Sequence, residues 1–260
     1  MKIFLIRHGE SITNAGKNYD KRLADHAVYL TKKGKNQAKK SALSLVNFLE
    51  ENEISLEKSR TWVSPYVRTW ETANIFNQYI NFPVMYEDLC LAEQQFGLFD
   101  SLRYEEWGIR YPNEFEHYKR HYDLGGKFWA RPPLGESPYD VAIRVKSFFD
   151  TIFRDYNKHG IDTLFIFTHG TTLRAFLMQW LHYPSTWFDQ EKNPGNCWIR
   201  LINGRIDCKY IYPKRLKNKQ LTCLNHNKTQ NPTSQILVST TKEVNNLLNT
   251  RVLEQPELKF

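Results

Sequence analysis

Two segments of this chain share one form: an apolar run, a polar residue, then His-Gly. The first is Phe4-Leu5-Ile6-Arg7-His8-Gly9 and the second is Phe165-Ile166-Phe167-Thr168-His169-Gly170. Short apolar runs bounded by turn residues read as buried strands, and glycine lets the backbone turn sharply after each histidine. Ligands of open α/β sheets bind just beyond the carboxyl ends of the strands. With the two strands near each other in one parallel sheet, both imidazoles project at the same edge. A third strand, Thr61-Trp62-Val63, runs into Ser64-Pro65-Tyr66-Val67-Arg68 and brings Arg68 to that edge too. Two arginines and two histidines in one pocket form an anion site. Phosphate suits it best, because guanidinium offers a planar fork to phosphate oxygens. A neutral histidine flanked by cations can attack phosphorus.

The rest of the chain reads as the scaffold for that edge. Thr31 is placed to cap a helix over 32–51, with Ala38, Ala42, Leu45, Val46 and Leu49 at helical spacing. A second helix is expected over 67–79. A third begins at Ser137-Pro138 and reaches about 156, with Ser as cap and Pro in the first turn. A fourth covers 171–181. Residues 197–202 and 205–212 flank Asn203-Gly204, a hairpin signal. The alternation of strand and helix predicts a three-layer α/β/α sandwich with a mostly parallel central sheet. Residues 84–136 are punctuated by Pro112, Gly125-Gly126 and Pro132-Pro133, with a short helix over 114–122. They read as an insertion capping one end of the sheet.

With 41% hydrophobic residues, the 260-residue chain can bury a large core. No apolar stretch reaches the ~18 residues of a membrane span, and Arg7 interrupts the first run too early for a signal peptide. Cys90, Cys197, Cys208 and Cys223 form no C-x-x-C pair and no dense framework. Neither a structural zinc nor a disulfide scaffold is indicated, and the expectation is a reduced, cytoplasmic protein. The net charge of +8 is uneven: residues 214–260 hold eight Lys/Arg against three Asp/Glu, leaving 28 basic and 25 acidic residues in 1–213. The near-balance of 1–213 argues against nucleic acid as the main ligand. Residues 214–260 read as a basic polar extension. Thr240 and Glu243 suggest a capping box, and Val244, Leu247, Leu248 and Val252 one amphipathic helix. This extension is a candidate surface for a protein partner or a second copy.

The motifs, taken in order, resemble the histidine phosphatase superfamily in its phosphoglycerate-mutase-like branch (branch 1). Leu5-Ile6-Arg7-His8-Gly9-Glu10-Ser11, with Asn14 beyond it, is similar to the family signature. Leu30-Thr31 with Gly34, Gln37 and Ala38 matches a pattern at the first long helix. Ser64-Pro65-Tyr66-Val67-Arg68-Thr69 and Glu71-Thr72-Ala73 resemble a second motif, Leu91-Ala92-Glu93 with Gly97 the segment carrying an acid, and Gly135-Glu136-Ser137 with Val141 and Arg144 a further element. Thr168-His169-Gly170 with Leu173-Arg174 resembles the last. The likeness spans 1–212, is weakest at 95–130 and is absent from 214–260.

The resemblance implies that His8 is phosphorylated. It implies that Arg7, Asn14, Arg68 and His169 hold the phosphoryl group, and that Glu93 protonates the leaving oxygen and then activates water. No metal or cofactor is called for. Arg144 and Arg174, each inside a helix, read as structural. Lys119 and Arg120 fall where mutases of the family carry a basic cluster for the substrate carboxylate. With Arg131 and Lys127 they are candidates for contacting an anionic leaving group, against the simpler reading of a solvated helix face. The expected activity is a metal-independent phosphatase acting on a small phosphorylated metabolite. A phosphoglycerate mutase is the alternative. Mutases of the family carry Arg and Tyr where Gln94 and Phe96 stand here, which weighs against it. A second alternative is a family member serving mainly protein interaction through its tail.

Overall fold

The computed structural model describes residues 1–16 and 23–213, all within the first of the chain's two units, Met1–Cys223. The proposed helix in the tail lies outside the described residues. Strands β1 (Lys2–Arg7), β2 (Ser59–Val63), β3 (Met85–Glu87), β4 (Thr163–Thr168), β5 (Ile199–Asn203) and β6 (Ile206–Tyr212) form one sheet in the order β3-β2-β4-β1-β5-β6. β1 through β4 are parallel, and the β5–β6 hairpin runs antiparallel along β1. β1 and β4 are paired in register from Lys2↔Thr163 to Arg7↔Thr168. The two histidines that follow them therefore leave the sheet at the same level.

Helices α1 (Lys32–Glu51) and α2 (Val67–Ile80) pack together. Thr31 caps α1 by accepting from the Gly34 amide at 2.9 Å. Phe4, Phe165, Phe167, Phe76 and Phe82 stack or meet edge-on between these helices and the sheet. The helices α3 (Tyr104–Arg110), α4 (Pro112–Gly125), α5 (Pro138–His159), α6 (Gly170–Leu181) and α7 (Ser185–Gln190) follow. α5 and α6 pack on each other and on the sheet through Val141, Val145, Phe148, Ile152, Leu173, Phe176 and Leu177, all essentially inaccessible. The Ser137 hydroxyl accepts from the Asp140 amide, and Asp140 accepts in return from the Ser137 amide at 2.8 Å, closing the box that starts α5.

Several expectations are refined. Met85–Glu87 joins the sheet beside β2, so the insertion starts after it. Within it, α4 is longer than the helix expected over 114–122. α3 and α7 were not foreseen: both are short and carry aromatic residues without a long periodic stripe. The insertion has its own core, in which Phe99 stacks on Trp107 at 4.4 Å and Tyr118 and Ala130 close the cluster. In the hairpin Asn203 pairs with Ile206. The loop is therefore Gly204-Arg205, with Gly204 at φ +60°, one residue later than the Asn-Gly signal suggested. Cys90 and Cys197 are free thiols. No described helix is long and apolar enough to cross a membrane.

Candidate active site

Three strand ends build the floor of the site. The His8 amide donates to the Thr168 carbonyl at 3.0 Å, and the Ser64 amide donates to the Phe167 carbonyl at 3.0 Å. These bonds carry the ladder one step past the ends of β1 and β2. His8 and His169 then face each other with ring centroids 5.1 Å apart, and both are buried. The chain turns at Gly9, whose amide donates to the Thr72 hydroxyl at 3.0 Å. A Cβ there would lie 2.6 Å from the Gly34 carbonyl oxygen at the start of α1. Only glycine permits that approach.

The hydrogen bond at Nδ1 fixes the tautomer of His8, and a hydroxyl partners the His169 ring. Nδ1 of His8 lies 2.7 Å from the Gly9 carbonyl. A carbonyl only accepts, so Nδ1 carries the proton and Nε2 keeps its lone pair. Nε2 of His169 lies 2.7 Å from the Ser64 hydroxyl, which itself accepts a long bond from the Tyr66 amide. With the hydroxyl donating to Nε2, Nδ1 of His169 carries the proton. That atom is buried and has no partner. Burial, then the positive charges of Arg68 and Arg7, push the His8 ring well below its ordinary range. Burial followed by Arg68 does the same to His169. Both rings are neutral at pH 7.

Arg7, the last residue of β1, donates to the Pro194 carbonyl, and its Nε is buried without a partner. The loop holding Pro194 also supplies Asn196, whose amide donates to the His8 carbonyl at 3.2 Å and to Asn14 Oδ1 at 3.1 Å. Arg68, in the first turn of α2, is buried. Its guanidinium stacks over Tyr66 at 4.7 Å, and Tyr66 meets the His169 ring edge-on at 4.8 Å. Burial pushes the Tyr66 hydroxyl up to about 12, so it stays protonated. Glu93 sits at the start of α6, where free amides seek acceptors. It accepts from the amides of Gly170 at 3.0 Å and of Thr171 and Thr172 at 3.4 Å, and from the Thr172 hydroxyl.

Arg7, His8, Asn14, Arg68 and Glu93 share a cavity of about 490 Å³. Its outer wall comes from the insertion: Phe96, Phe99, Leu102 and Trp107, with Asp100, Arg103 and Glu106. Arg103 lies 3.5 Å from Glu106. Burial and then the neighbouring Asp25 charge push the Asp100 carboxyl above its ordinary range. Lys119, Arg120 and Arg131 are exposed and do not line this cavity. Lys119 pairs with Asp123 and Arg131 with Asp140. Lys127 is not among the lining residues either. Among the described residues no three His, Cys, Asp or Glu side chains gather as a metal site would require.

Sequence reasoning gave no role to Ser64, Tyr66, Asp25 or Asn196. The first two stand inside a quoted motif. Asn196 sits in a polar Asn-Pro-Gly-Asn turn with no chemical signature. Arg144 read as structural, and it donates to the carbonyls of Cys90, Ala92 and Glu93 at 2.8–3.0 Å and grips Glu136 through Nε and Nη2. It fixes the backbone that carries Glu93.

The fold is that of several solved phosphatases. It matches a putative alpha-ribazole-5'-P phosphatase from Escherichia coli with a TM-score of 0.62, at 18% identity over 78% of this chain and 90% of the other. A mycobacterial glucosyl-3-phosphoglycerate phosphatase matches at 0.59, with 21% identity over 78% and 92%. Residues 3–210 match the family model of the histidine phosphatase superfamily (branch 1), and the chain belongs to that family. It is 31% identical to the phosphoglycerate mutase-like protein AT74H of Arabidopsis thaliana, over 81% of this chain and 76% of that protein. It is 30% identical to AT74 of the same plant over 77% of this chain, an alignment spanning 64% of AT74's own length. The broad-range acid phosphatase DET1 of Saccharomyces cerevisiae is 24% identical, over 75% and 82%.

Proposed function

We propose that this protein is a phosphatase that hydrolyses small phosphate monoesters through a phosphohistidine on His8. The observation carrying this reading is the unprotonated Nε2 of a buried, neutral His8, which shares a cavity with Arg7 and Arg68 and packs against the His169 ring. Phosphoryl transfer needs positioning and stabilisation of charge on three equatorial oxygens. Arg7 Nε and His169 Nδ1 are buried donors with nothing to donate to, and a phosphoryl group would satisfy both. Arg68 and Asn14 complete the shell. Glu93 gives a proton to the leaving oxygen, then takes one from the water that cleaves the phosphohistidine. The yeast relative is a broad-range acid phosphatase, and that reaction class is the one assigned here.

The cavity wall favours a phosphatase over a mutase. Beyond Gln94, the described lining residues of the insertion are four apolar or aromatic side chains, Ser101, two carboxylates and one arginine beside one of those carboxylates. A substrate carboxylate would find no unopposed cation there. A product thus loses its hold once the phosphoryl group is on His8, and water takes its place. The test is to quench a reaction with p-nitrophenyl phosphate and weigh the protein, beside a phosphoglycerate mutase assay. Expected are a base-stable adduct of one phosphoryl group, absent in His8→Ala, and hydrolysis exceeding mutase turnover. Full hydrolysis by His8→Ala would overturn the reading.

A further inference from the structure

Arg68 does not stand empty. Its Nη1 donates to the Asp25 carboxylate at 3.0 Å and to the Asp25 backbone carbonyl at 2.6 Å, and its Nη2 donates to the second carboxylate oxygen at 3.1 Å. Both terminal nitrogens of the fork thus meet a carboxylate in the two-pronged geometry that guanidinium also offers phosphate. Asp25 lines the same cavity as Arg7 and His8. We propose that Asp25 is the carboxylate with which an incoming phosphoryl group trades places at Arg68, and that it sets how tightly the pocket holds phosphate. This rests on the functional reading above.

The two halves of Asp25 have separate duties. Its backbone is held in the turn Asp25–Ala27, where its carbonyl accepts from the Val28 amide at 3.2 Å as well as from Arg68. That carbonyl keeps Arg68 aimed when the side chain leaves. The side chain is 33% exposed against 5% for Arg68, so it reaches water by a change of rotamer while the arginine stays. Asp100 stands near it on the cavity wall, and their like charges oppose each other. A phosphoryl group taking the fork therefore replaces one anion by another instead of filling an unpaired cationic hole. The exchange weakens the grip on substrate phosphate and on the inorganic phosphate left after hydrolysis alike, and so speeds product release.

The experiment titrates inorganic phosphate into the full chain as wild type, Asp25→Asn and Asp25→Ala, by calorimetry. Both variants are expected to bind phosphate about tenfold more tightly, as loss of a competing charge-assisted pair implies, with KM for p-nitrophenyl phosphate falling in step. A purely structural carboxylate would move both in the opposite direction. Unchanged or weaker phosphate binding in the variants overturns the exchange. A wild type that binds no phosphate overturns the functional reading itself, so the two failures are distinct. A crystal structure of the wild type with vanadate needs no variant. Asp25 swung off Arg68 is expected, and a carboxylate still on both Nη atoms with vanadate in place refutes the proposal.

Discussion

Replacing Arg144 by lysine separates the positioning of Glu93 from the rest of the pocket. The guanidinium makes three bonds to the carbonyls of residues 90, 92 and 93 and two to Glu136. Lysine keeps the charge but not the fork, so two or more of these bonds are lost in a partly buried site. Bonds to charged groups are worth about 1.5–3 kcal/mol each. With water refilling part of the space, a net loss of about 2–3 kcal/mol in unfolding free energy is expected, read by urea titration. The catalytic consequence is selective. A shift of about 1 Å in a reacting group costs on the order of 10² in rate. That cost falls only where the leaving oxygen needs a proton. For glycerol 2-phosphate, kcat/KM should drop about 10²-fold. For 2,4-dinitrophenyl phosphate, whose leaving group departs as a stable anion, it should change less than about threefold. An equal loss on both esters would mean that Arg144 supports the whole pocket and not the acid, and the reasoning would fail.

Other outcomes follow from the same geometry. His8 and His169 are both held well below the ordinary imidazole value. Below about pH 6.5 the unfolded chain thus binds protons that the folded one refuses, and stability present above that pH is lost as pH falls. The slope is up to about 1.4 kcal/mol per pH unit for each ring. Thermal unfolding without phosphate should show it between pH 7.5 and 5.5, with a flatter profile in His169→Asn. Ser64→Ala leaves the buried Nε2 of His169 without its donor and frees the ring to change tautomer. We expect kcat/KM to fall about tenfold, while an unchanged value would show that Ser64 does not set the tautomer. Arg120→Ala, on the exposed side of α4, should leave KM for anionic and neutral esters within about twofold. A selective rise for anionic esters would restore Arg120 to the substrate site.

What the sequence disclosed depended on whether a residue's duty is local. The strand-His-Gly repeats were legible because β1 and β4 are buried on both faces and so appear as unbroken apolar runs. Thr31 and Ser137 announced their helices because capping acts within one turn. Arg7, His8, Arg68 and Glu93 stood in recognisable motifs, and the cavity gathers them. Asn196 escaped because its bond to the His8 carbonyl reaches across 188 positions of chain, and no periodicity records such a contact. Lys119 and Arg120 lie away from the cavity for the converse reason. Their position along the chain suggested the substrate, but α4 turns them to solvent while Tyr118 takes the buried side.

β1 occupies the middle of the sheet, with β4 on one side and β5 on the other. Its pairing partners lie 161 and more positions later in the chain. At about 5–20 residues per second, a nascent chain carries this segment for on the order of ten seconds before either neighbour exists. Throughout that wait both of its edges are open and its side chains Ile3 to Ile6 are uncovered. The strand that delivers His8 is thus open to wrong pairing during synthesis. A substitution that slows the arrival of β4 or β5 should lower the yield of soluble protein before it lowers the activity of the molecules that fold.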